Sequence, residues 1–147
     1  MSIKANIEKD ITNAMRSGNV LRKNTLRMAL SAIKLAEIEK GGSLDDAVVM
    51  TVLQKEIKSR RETILDAERA KRPDLVVDAE AEIALLETYL PTQLSHQELE
   101  SMAQEAIDEV GATSTREIGL VMKVLLPRVQ WRAEGSMVSQ VVRQLLA

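Results

Sequence analysis

The side chains that could carry out catalysis are few in this sequence. His96 is the only histidine, and there is no cysteine. One imidazole cannot build a multi-histidine metal site, and without a thiol the Ser–His–Asp arrangement is the remaining common nucleophilic option. His96 directly follows a predicted helix cap, so it lies in the first turn of an exposed helix rather than in a buried site. We therefore expect a surface histidine, no catalytic residue and no metal site.

The remaining polar residues do not suggest a catalytic site or a cofactor either. The 22 acidic residues of a helical chain produce chance pairs one turn apart, and Glu80, Glu82 and Glu87 are typical of a solvated face. The six glycines lie at predicted helix ends or singly, so there is no glycine-rich phosphate loop. We expect no cofactor.

The stretch "RVQWRAEGS" (residues 128–136) combines residue types that could bind an anion. Trp131 is the only tryptophan, and it stands between Arg128 and Arg132. In a structural interpretation the ring fills a gap between the last two helices, with an arginine stacked on it. In a functional interpretation the ring stacks on an unpaired base while the arginines hold phosphates. Arg132, Gly135 and the N–H groups of the next helix start would also suit an anion.

Charge is distributed unevenly along the chain, although its net charge is only −2. Residues 1–93 carry fifteen basic and fifteen acidic residues, whereas 95–110 carry five acids and no lysine or arginine. From Thr113 onward two acids accompany five bases, which are Arg116, Lys123, Arg128, Arg132 and Arg143. This locally basic end indicates a polyanionic partner. The alternative is a solvated face that forms salt bridges with the acidic fifth helix.

A second basic run, "KSRRE" (58–62), is typical of an exposed helix whose cations pair with nearby acids. On a helix Lys58 and Arg61 share a face, and Arg60 lies on the other side. We do not expect this run to be a binding patch.

The elements that position these residues are all predicted to be helices. Apolar residues recur at spacings of three and four, as in Ile3, Ile7 and Ile11, and no segment has the pattern of a strand. Gly18 is suited to end the first helix, and Gly41–Gly42 ends a second helix that starts at Val20. The pattern predicts an all-α fold with about seven helices.

Later helix boundaries have their own signals. Ser43 can cap a third helix that extends to Arg72, and Pro73 fits the first turn of a fourth. Ser95 with Glu98 predicts a capping box for a fifth helix ending at Gly111, and Ser114 with Glu117 predicts one for a sixth. Pro127 should end or kink the sixth helix, and a seventh completes the chain.

The break at "YLPTQLS" divides the chain into two parts. Pro91 disfavours helix at the preceding residue, and it separates four longer helices from three short ones. We expect an N-terminal helical bundle over 1–92 and a small C-terminal three-helix domain over 93–147. No segment has the length of a membrane span or the pattern of a secretory signal, so we expect a cytoplasmic protein without a membrane partner.

Four segments together resemble the GatB/YqeY family. In chain order they are "LRMALSAIKLAEIEKG", "LQKEIKSRRETI", "EIALLETYLPTQLS" and "IGLVMKVLLPRVQWRAEGSMVSQVVRQLL". They span nearly the whole chain, and "YLPTQL" and "RAEGSMVSQVV" are the most specific elements. The "GRADG"-like connector of the family falls on "WRAEG", where Arg132, Ala133 and Gly135 match. Glu134 replaces an aspartate, and Trp131 departs from the usual glycine.

The resemblance implies a function linked to tRNA. It implies kinship with the tail of the B subunit of the tRNA-dependent amidotransferase, which contacts tRNA while a larger domain performs the amidation. This chain would then be a tRNA-binding or tRNA-linked accessory protein and not a transamidase on its own. Its RNA contacts would come from the basic C-terminal element: Lys123, Arg128, Arg132, Gly135 and Arg143.

Two other functions remain as alternatives. One is a helical protein-interaction adaptor that docks on an amidotransferase or an aminoacyl-tRNA synthetase. The other is a carbon–nitrogen ligase with glutamine as amido-N donor, the activity attached to the family, which would here be inherited by similarity.

Overall fold

The computed structural model describes all residues, 1–147, and contains seven α-helices and no strand. A short 3₁₀ turn, Thr115–Glu117, precedes the sixth helix. The prediction of an all-α fold is therefore confirmed. The helices are α1 (Ile3–Ser17), α2 (Val20–Lys40), α3 (Asp46–Arg69), α4 (Pro73–Glu87), α5 (His96–Val110), α6 (Ile118–Val129) and α7 (Gly135–Leu146).

Local sequence signals set most of the helix ends. Gly18, Gly41 and Gly111 end α1, α2 and α5 in the left-handed conformation, with φ of +72°, +83° and +68°. Glycine adopts this conformation without the steric cost that a Cβ brings. Pro73 is the first residue of α4, and Ser95 and Glu98 form both hydrogen bonds of a capping box. These predictions are confirmed.

Three predicted boundaries are wrong. The residue that caps α3 is Asp45 and not Ser43, because the Asp45 carboxylate accepts a hydrogen bond from the Val48 N–H. The same helix ends at Arg69 and does not reach Arg72. Ser114 makes no capping bond, because Glu117 instead accepts from the main chain and hydroxyl of Thr113. The first turn there is consequently 3₁₀.

Pro127 lies inside α6 and does not end it, because the helix continues to Val129. Proline removes one backbone donor from a helix interior, which is tolerated most easily near an end.

The chain divides into two compact units, Met1–Leu90 and Pro91–Ala147. The assignment of 1–92 and 93–147 as separate domains stays a prediction. None of the helices combines the length and the apolar character that crossing a bilayer requires.

The N-terminal unit is formed by α1 to α4 around an aliphatic core. Tyr89, its one aromatic residue, packs at the edge of that core and donates a hydrogen bond to Asp10. Burial of the ring and this bond to a carboxylate raise the pKa of Tyr89. The buried core residues are Ile7, Leu26, Ala29, Ile33, Val49, Leu53, Ile57, Ile83 and Leu86.

Arg60 corrects the expectation of a solvated basic run on α3. Its side chain is buried, at 5% residue exposure, and its guanidinium donates to Glu56 Oε2 at 2.9 Å and to Glu82 Oε2 at 3.0 Å. A third bond runs from Nη1 to the main-chain oxygen of Glu56. Glu82 belongs to α4, so Arg60 links the two helices by charge within the N-terminal unit.

The C-terminal unit packs α5, α6 and α7 around a second aliphatic core. Each helix turns an apolar stripe inward, and α7 supplies four of the buried residues. The buried set is Leu99, Ala103, Ala106, Ile107, Ala112, Val121, Leu125, Val129, Val138, Val141, Val142 and Leu146.

Candidate nucleic-acid interface

The connector between α6 and α7, residues 130–134, is the centre of the predicted RNA-binding region. Trp131 has a φ of +63°, in the left-handed region, and its side chain is half-buried. This conformation crowds the Cβ of any L-residue and costs about 1–2 kcal/mol, whereas glycine adopts it freely. The backbone thus supplies a physical reason for the glycine that the family pattern places at this position.

The connector is tied to the segment 92–94 by three hydrogen bonds. Leu94 N–H donates to the Arg132 carbonyl at 2.9 Å, and the Gln93 side-chain amide donates to the Trp131 carbonyl at 2.8 Å. Arg132 Nε in turn donates to the Thr92 carbonyl at 3.0 Å. The two most specific segments of the family resemblance, "YLPTQL" and "RAEG", therefore contact each other directly.

Arg132 consequently has a structural contact in addition to any ligand contact. Its side chain is half-buried, and only one of its five N–H donors is used by Thr92. Its positive charge also contributes to lowering the pKa of Glu98, after the larger effect of hydrogen bonds from the Ser95 N–H and the Ser95 hydroxyl. The guanidinium is thus held at the base of α5 with donors still available.

Arg128 is engaged in an ion pair across α5 and α6. Its two terminal nitrogens donate to the two carboxylate oxygens of Glu109 at 2.9 and 2.6 Å. This bidentate contact lowers the pKa of Glu109 and raises the pKa of Arg128. Arg128 can therefore bind a phosphate only by exchanging one anionic partner for another.

Lys123 and Arg143 are exposed and form no ion pair within the protein. Lys123 lies on α6 and Arg143 in the last turn of α7. Two serines of α7, Ser136 and Ser139, stand seven and four residues before Arg143, so the helical repeat aligns them with it on one side. The sequence prediction did not include these hydroxyls, although their spacing of seven and four residues from Arg143 places them on the same side of a helix.

Gly135 is the first residue of α7, and its position is open. A Cβ built on it would meet no atom within 4 Å, and its φ is not positive. Neither steric crowding nor backbone conformation therefore demands glycine there. The first amides of α7 have no carbonyl one turn earlier within the helix, which leaves them oriented as donors at its N-terminus.

The five predicted site residues do not form one cluster. Lys123 and Arg128 are five residues apart on α6, which separates their directions by about 140° around the helix. Gly135 and Arg143 lie at opposite ends of α7, about 12 Å apart along its axis. Arg132 and Gly135 share the connector and the helix start, whereas Lys123, Arg128 and Arg143 lie on helices that flank it.

His96 is a surface residue, as predicted from its position after the cap. Its side chain is 60% exposed and contacts Glu100 one turn later at 2.8 Å. The structure brings no three histidine or acidic side chains together in a geometry for a metal ion.

Comparison with known proteins places nearly the whole length of the chain in one family. The profile of the family described as Yqey-like protein matches residues 4–146. The chain is 32% identical over 136 residues to altered inheritance of mitochondria protein 41, mitochondrial, of Lachancea thermotolerans, covering 90% of this chain and 71% of that protein. The Kluyveromyces lactis protein of the same name is 31% identical over 132 residues, covering 87% and 69%.

A third relative matches a shorter part of the chain. An uncharacterised protein of Schizosaccharomyces pombe is 32% identical over 95 residues, which cover 65% of this chain and 77% of that protein. The family profile and these identities agree with the resemblance drawn from the motifs. This chain belongs to the Yqey-like protein family.

Proposed function

We propose that this protein is an RNA-binding accessory factor with tRNA as its ligand, which supports a partner enzyme and performs no amidation on its own. The observation that carries the proposal is the C-terminal unit, where the connector is hydrogen-bonded to the segment 92–94 and is flanked by helices that carry cations. The resemblance of the sequence to the amidotransferase tail supports tRNA as the ligand. A role beside translation in the cytoplasm is part of the same proposal.

The charge distribution supports an anionic ligand. Lys123 and Arg143 have no acidic partner, and Arg132 donates a hydrogen bond to a neutral carbonyl, that of Thr92. In the N-terminal unit, some cations form ion pairs with acids on neighbouring helices, such as Lys4 with Glu37 and Arg60 with Glu82. Cations without internal partners are available to neutralise phosphates and to release counterions.

Binding of total tRNA in a salt titration tests the proposal. We expect a gel-mobility shift at low salt and a quenched or shifted Trp131 emission, with an affinity that falls steeply as salt rises. Replacing Lys123 and Arg143 together by alanine should weaken binding by about tenfold or more and reduce the salt slope by about two. Arg69→Ala, an exposed arginine of the N-terminal unit at 80% side-chain exposure, is the matched control.

Gly135→Ala separates a role in binding from a role in folding. Because a Cβ has open space at this position, the variant should fold as the wild type does. If RNA backbone approaches the start of α7 closely, the added methyl group weakens tRNA binding while the circular dichroism stays unchanged and the urea midpoint does not fall. Equal binding by the two proteins would remove Gly135 from the interface.

Glu109→Gln tests whether Arg128 takes part. The substitution removes the anion that occupies Arg128, so tRNA should bind several-fold more tightly if that arginine reaches phosphate. Arg128→Ala should then weaken binding more in the Glu109→Gln background than in the wild type. Absence of any mobility shift with tRNA at low salt for the wild-type chain would overturn the proposed function.

Cell fractionation with a tagged chain tests the cytoplasmic location. The yeast relatives carry the word mitochondrial in their names, so co-fractionation with mitochondria is the opposing result in a cell that contains them.

A further inference from the structure

The outward face of α2 exposes an unusual number of apolar side chains. Val20, Met28, Leu35 and Ile38 have exposed fractions of 61%, 58%, 58% and 76%. The opposite face of the same helix is fully buried, with Leu26, Ala29 and Ile33 at 0% exposure. One face of α2 thus belongs to the core of the N-terminal unit. The second apolar face is exposed to solvent, and its one hydrogen-bond contact to another helix joins the sulfur of Met28 to the guanidinium of Arg60 on α3.

These exposed residues follow the repeat of a helix-pairing seam. Five positions, Asn24, Met28, Ser31, Leu35 and Ile38, recur at spacings of four, three, four and three. This is the alternation by which one helix packs knobs into the holes of another. The seam extends over fifteen residues, from Asn24 to Ile38, or about 21 Å along the helix. All five positions are exposed, so the seam is accessible along its length.

Charge along one edge of the seam indicates the chemistry of its occupant. Arg27 and Lys34 are seven residues apart, so they occupy the same flanking position in successive heptads. Neither forms an ion pair, and the one hydrogen bond of Arg27 goes to the sulfur of Met15. The single acid beside the seam, Glu39, lies at its C-terminal end on the other edge. A partner helix that covers this seam needs acidic residues opposite the two cations.

We propose that the outward face of α2, defined as Asn24, Met28, Ser31, Leu35 and Ile38 with Arg27 and Lys34 at its edge, docks an amphipathic helix of another protein. The docked helix carries leucine-like residues along its contact stripe and acidic residues on the flank that meets Arg27 and Lys34. The contact buries the exposed side chains and provides acidic partners for two cations that form no ion pair within the chain. The surface belongs to the N-terminal unit, so it does not depend on RNA binding by the C-terminal unit.

The same features disfavour a second copy of this chain as the occupant. Antiparallel pairing of two α2 helices sets Arg27 and Lys34 of each copy against the same cations of the other. Parallel pairing would place Asn24 against Asn24 and Ser31 against Ser31, so two of the five layers would be polar. A helix with acids on its flank removes the repulsion of the antiparallel pair and provides an acid for both Arg27 and Lys34, whereas the parallel pair would set Arg27 against Ala32.

A lipid surface also fits the pattern poorly. Helices that lie in a membrane interface typically combine a dense set of cations with aromatic anchors on the apolar side. The outward face of α2 has two cations on its edge and no aromatic residue, and its apolar residues alternate with Asn24 and Ser31. This alternation suits discrete knobs on a partner helix better than continuous hydrocarbon.

Fluorescence anisotropy with two synthetic helices tests the proposal on the full-length protein. Each labelled peptide spans about four heptads with leucine at its seam positions. One peptide has glutamate at the flanking positions, and the other has lysine there. At low salt we expect the glutamate peptide to bind about tenfold more tightly than the lysine peptide, because two attractive pairs replace two repulsive ones.

Two sets of variants identify the surface. Leu35→Glu with Ile38→Glu should abolish binding of the glutamate peptide, whereas Val77→Glu, at a 63% exposed position of α4, is the matched control that should leave it unchanged. Arg27→Glu with Lys34→Glu should reverse the preference toward the lysine peptide. Because all these positions are exposed, circular dichroism should show that each variant folds.

Several results would overturn the proposal. Equal binding of the two peptides, or binding that persists in Leu35→Glu with Ile38→Glu, would remove the outward face of α2 as a selective docking site. A wild-type dimer in sedimentation that Ile38→Glu dissociates would assign the face to a second copy. Binding to vesicles of phosphatidylcholine and phosphatidylserine at roughly 3:1, or to tRNA, that depends on Arg27 and Lys34 would assign it to a lipid or to RNA.

Discussion

The two units of this protein differ in how far their charged residues pair across neighbouring helices. In the N-terminal unit, cations and acids of neighbouring helices pair with each other, as in Lys4 with Glu37 at 2.8 Å. In the C-terminal unit, acids concentrate on α5, and one salt bridge between its helices joins Arg128 to Glu109. Ion pairs connect several helices of the first unit and one pair of helices in the second, and in both units other cations, such as Arg27 and Lys123, form no ion pair.

The difference explains why formal charge alone says little about the function of either unit. Residues 1–93 hold fifteen of the twenty basic residues and are neutral overall. Only one of those bases, Arg60, is buried, at 5% exposure. Whether a cation is available to a ligand depends on its partners within the fold, and the structure supplies that information residue by residue.

The largest expected effect concerns Arg60 in the N-terminal unit. Arg60→Ala should lower the free energy of unfolding by about 2–3 kcal/mol, because it leaves Glu56 and Glu82 without their cation. Both carboxylates are partly exposed, which keeps the cost below that of a fully buried pair. Urea denaturation followed by circular dichroism measures the change. Arg128→Ala in the C-terminal unit should leave the urea midpoint unchanged, and equal losses in the two variants would contradict the comparison.

A smaller effect is expected at the two non-glycine residues whose backbone is in the left-handed conformation, one in each unit. Lys71 and Trp131 have φ of +56° and +63°. At both positions the glycine variant should be more stable than the alanine variant by about 1 kcal/mol, because both lose the side chain and only glycine relieves the backbone. Urea midpoints of the four variants provide the measurement. A more stable alanine variant at either position would refute the strain.

Thr25 carries a buried hydroxyl group in the N-terminal unit, and its removal should change the stability of that unit. Its hydroxyl is buried and has no hydrogen-bond partner, although the residue is only 1% exposed. Thr25→Val should therefore raise the free energy of unfolding by about 1 kcal/mol. Val49→Thr, which adds a hydroxyl at another buried position of the same core, should do the opposite. A destabilised Thr25→Val variant would mean that the hydroxyl is satisfied, for example by an internal water.

The smallest effect is the pH dependence of the α5 cap in the C-terminal unit. Hydrogen bonds from Ser95 hold the pKa of Glu98 below its ordinary value of 4.5. Because this pKa is lowered on folding, ionised Glu98 stabilises the folded state at pH values above 4.5. The stabilisation is lost as the pH falls through the pKa of Glu98 in the folded state. Glu98→Gln should therefore be less stable than the wild type at neutral pH, and the difference should shrink toward about pH 3.

Nuclear magnetic resonance gives the direct readout for Glu98. The side-chain carboxyl of Glu98 should titrate below 4.5 in the folded protein. A stability difference between Glu98→Gln and the wild type that stays the same at both pH values would show that the charge of Glu98 does not matter to the cap.

Sequence reasoning succeeded where the determining interaction is local. The ends at Gly18, Gly41 and Gly111 follow from the conformational freedom of glycine, and the Ser95–Glu98 box joins residues three positions apart. It failed at the start of α3, where both Ser43 and Asp45 are competent caps and only Asp45 makes the bond. Residue type identifies the possible capping residues, and the path of the preceding chain determines which of them is placed to make the bond.

The rest could not be read from the sequence because it depends on distant partners. Arg60 is buried through Glu82, twenty-two residues away, and Arg128 is occupied by Glu109, nineteen residues away. The bond from Gln93 to the Trp131 carbonyl spans thirty-eight residues. The family resemblance marked both of those segments as specific, but it did not reveal that they touch.

The bonds between the segment 92–94 and the connector reach main-chain oxygens at positions 131 and 132. Because a peptide oxygen is present whatever the side chain, a change of residue at 131 leaves this bracing intact. The family's usual glycine could therefore give way to tryptophan at the cost of local strain alone, without dismantling the junction. Position 131 is in this sense open to evolutionary variation, whereas Gln93, whose own side chain makes the bond, is not.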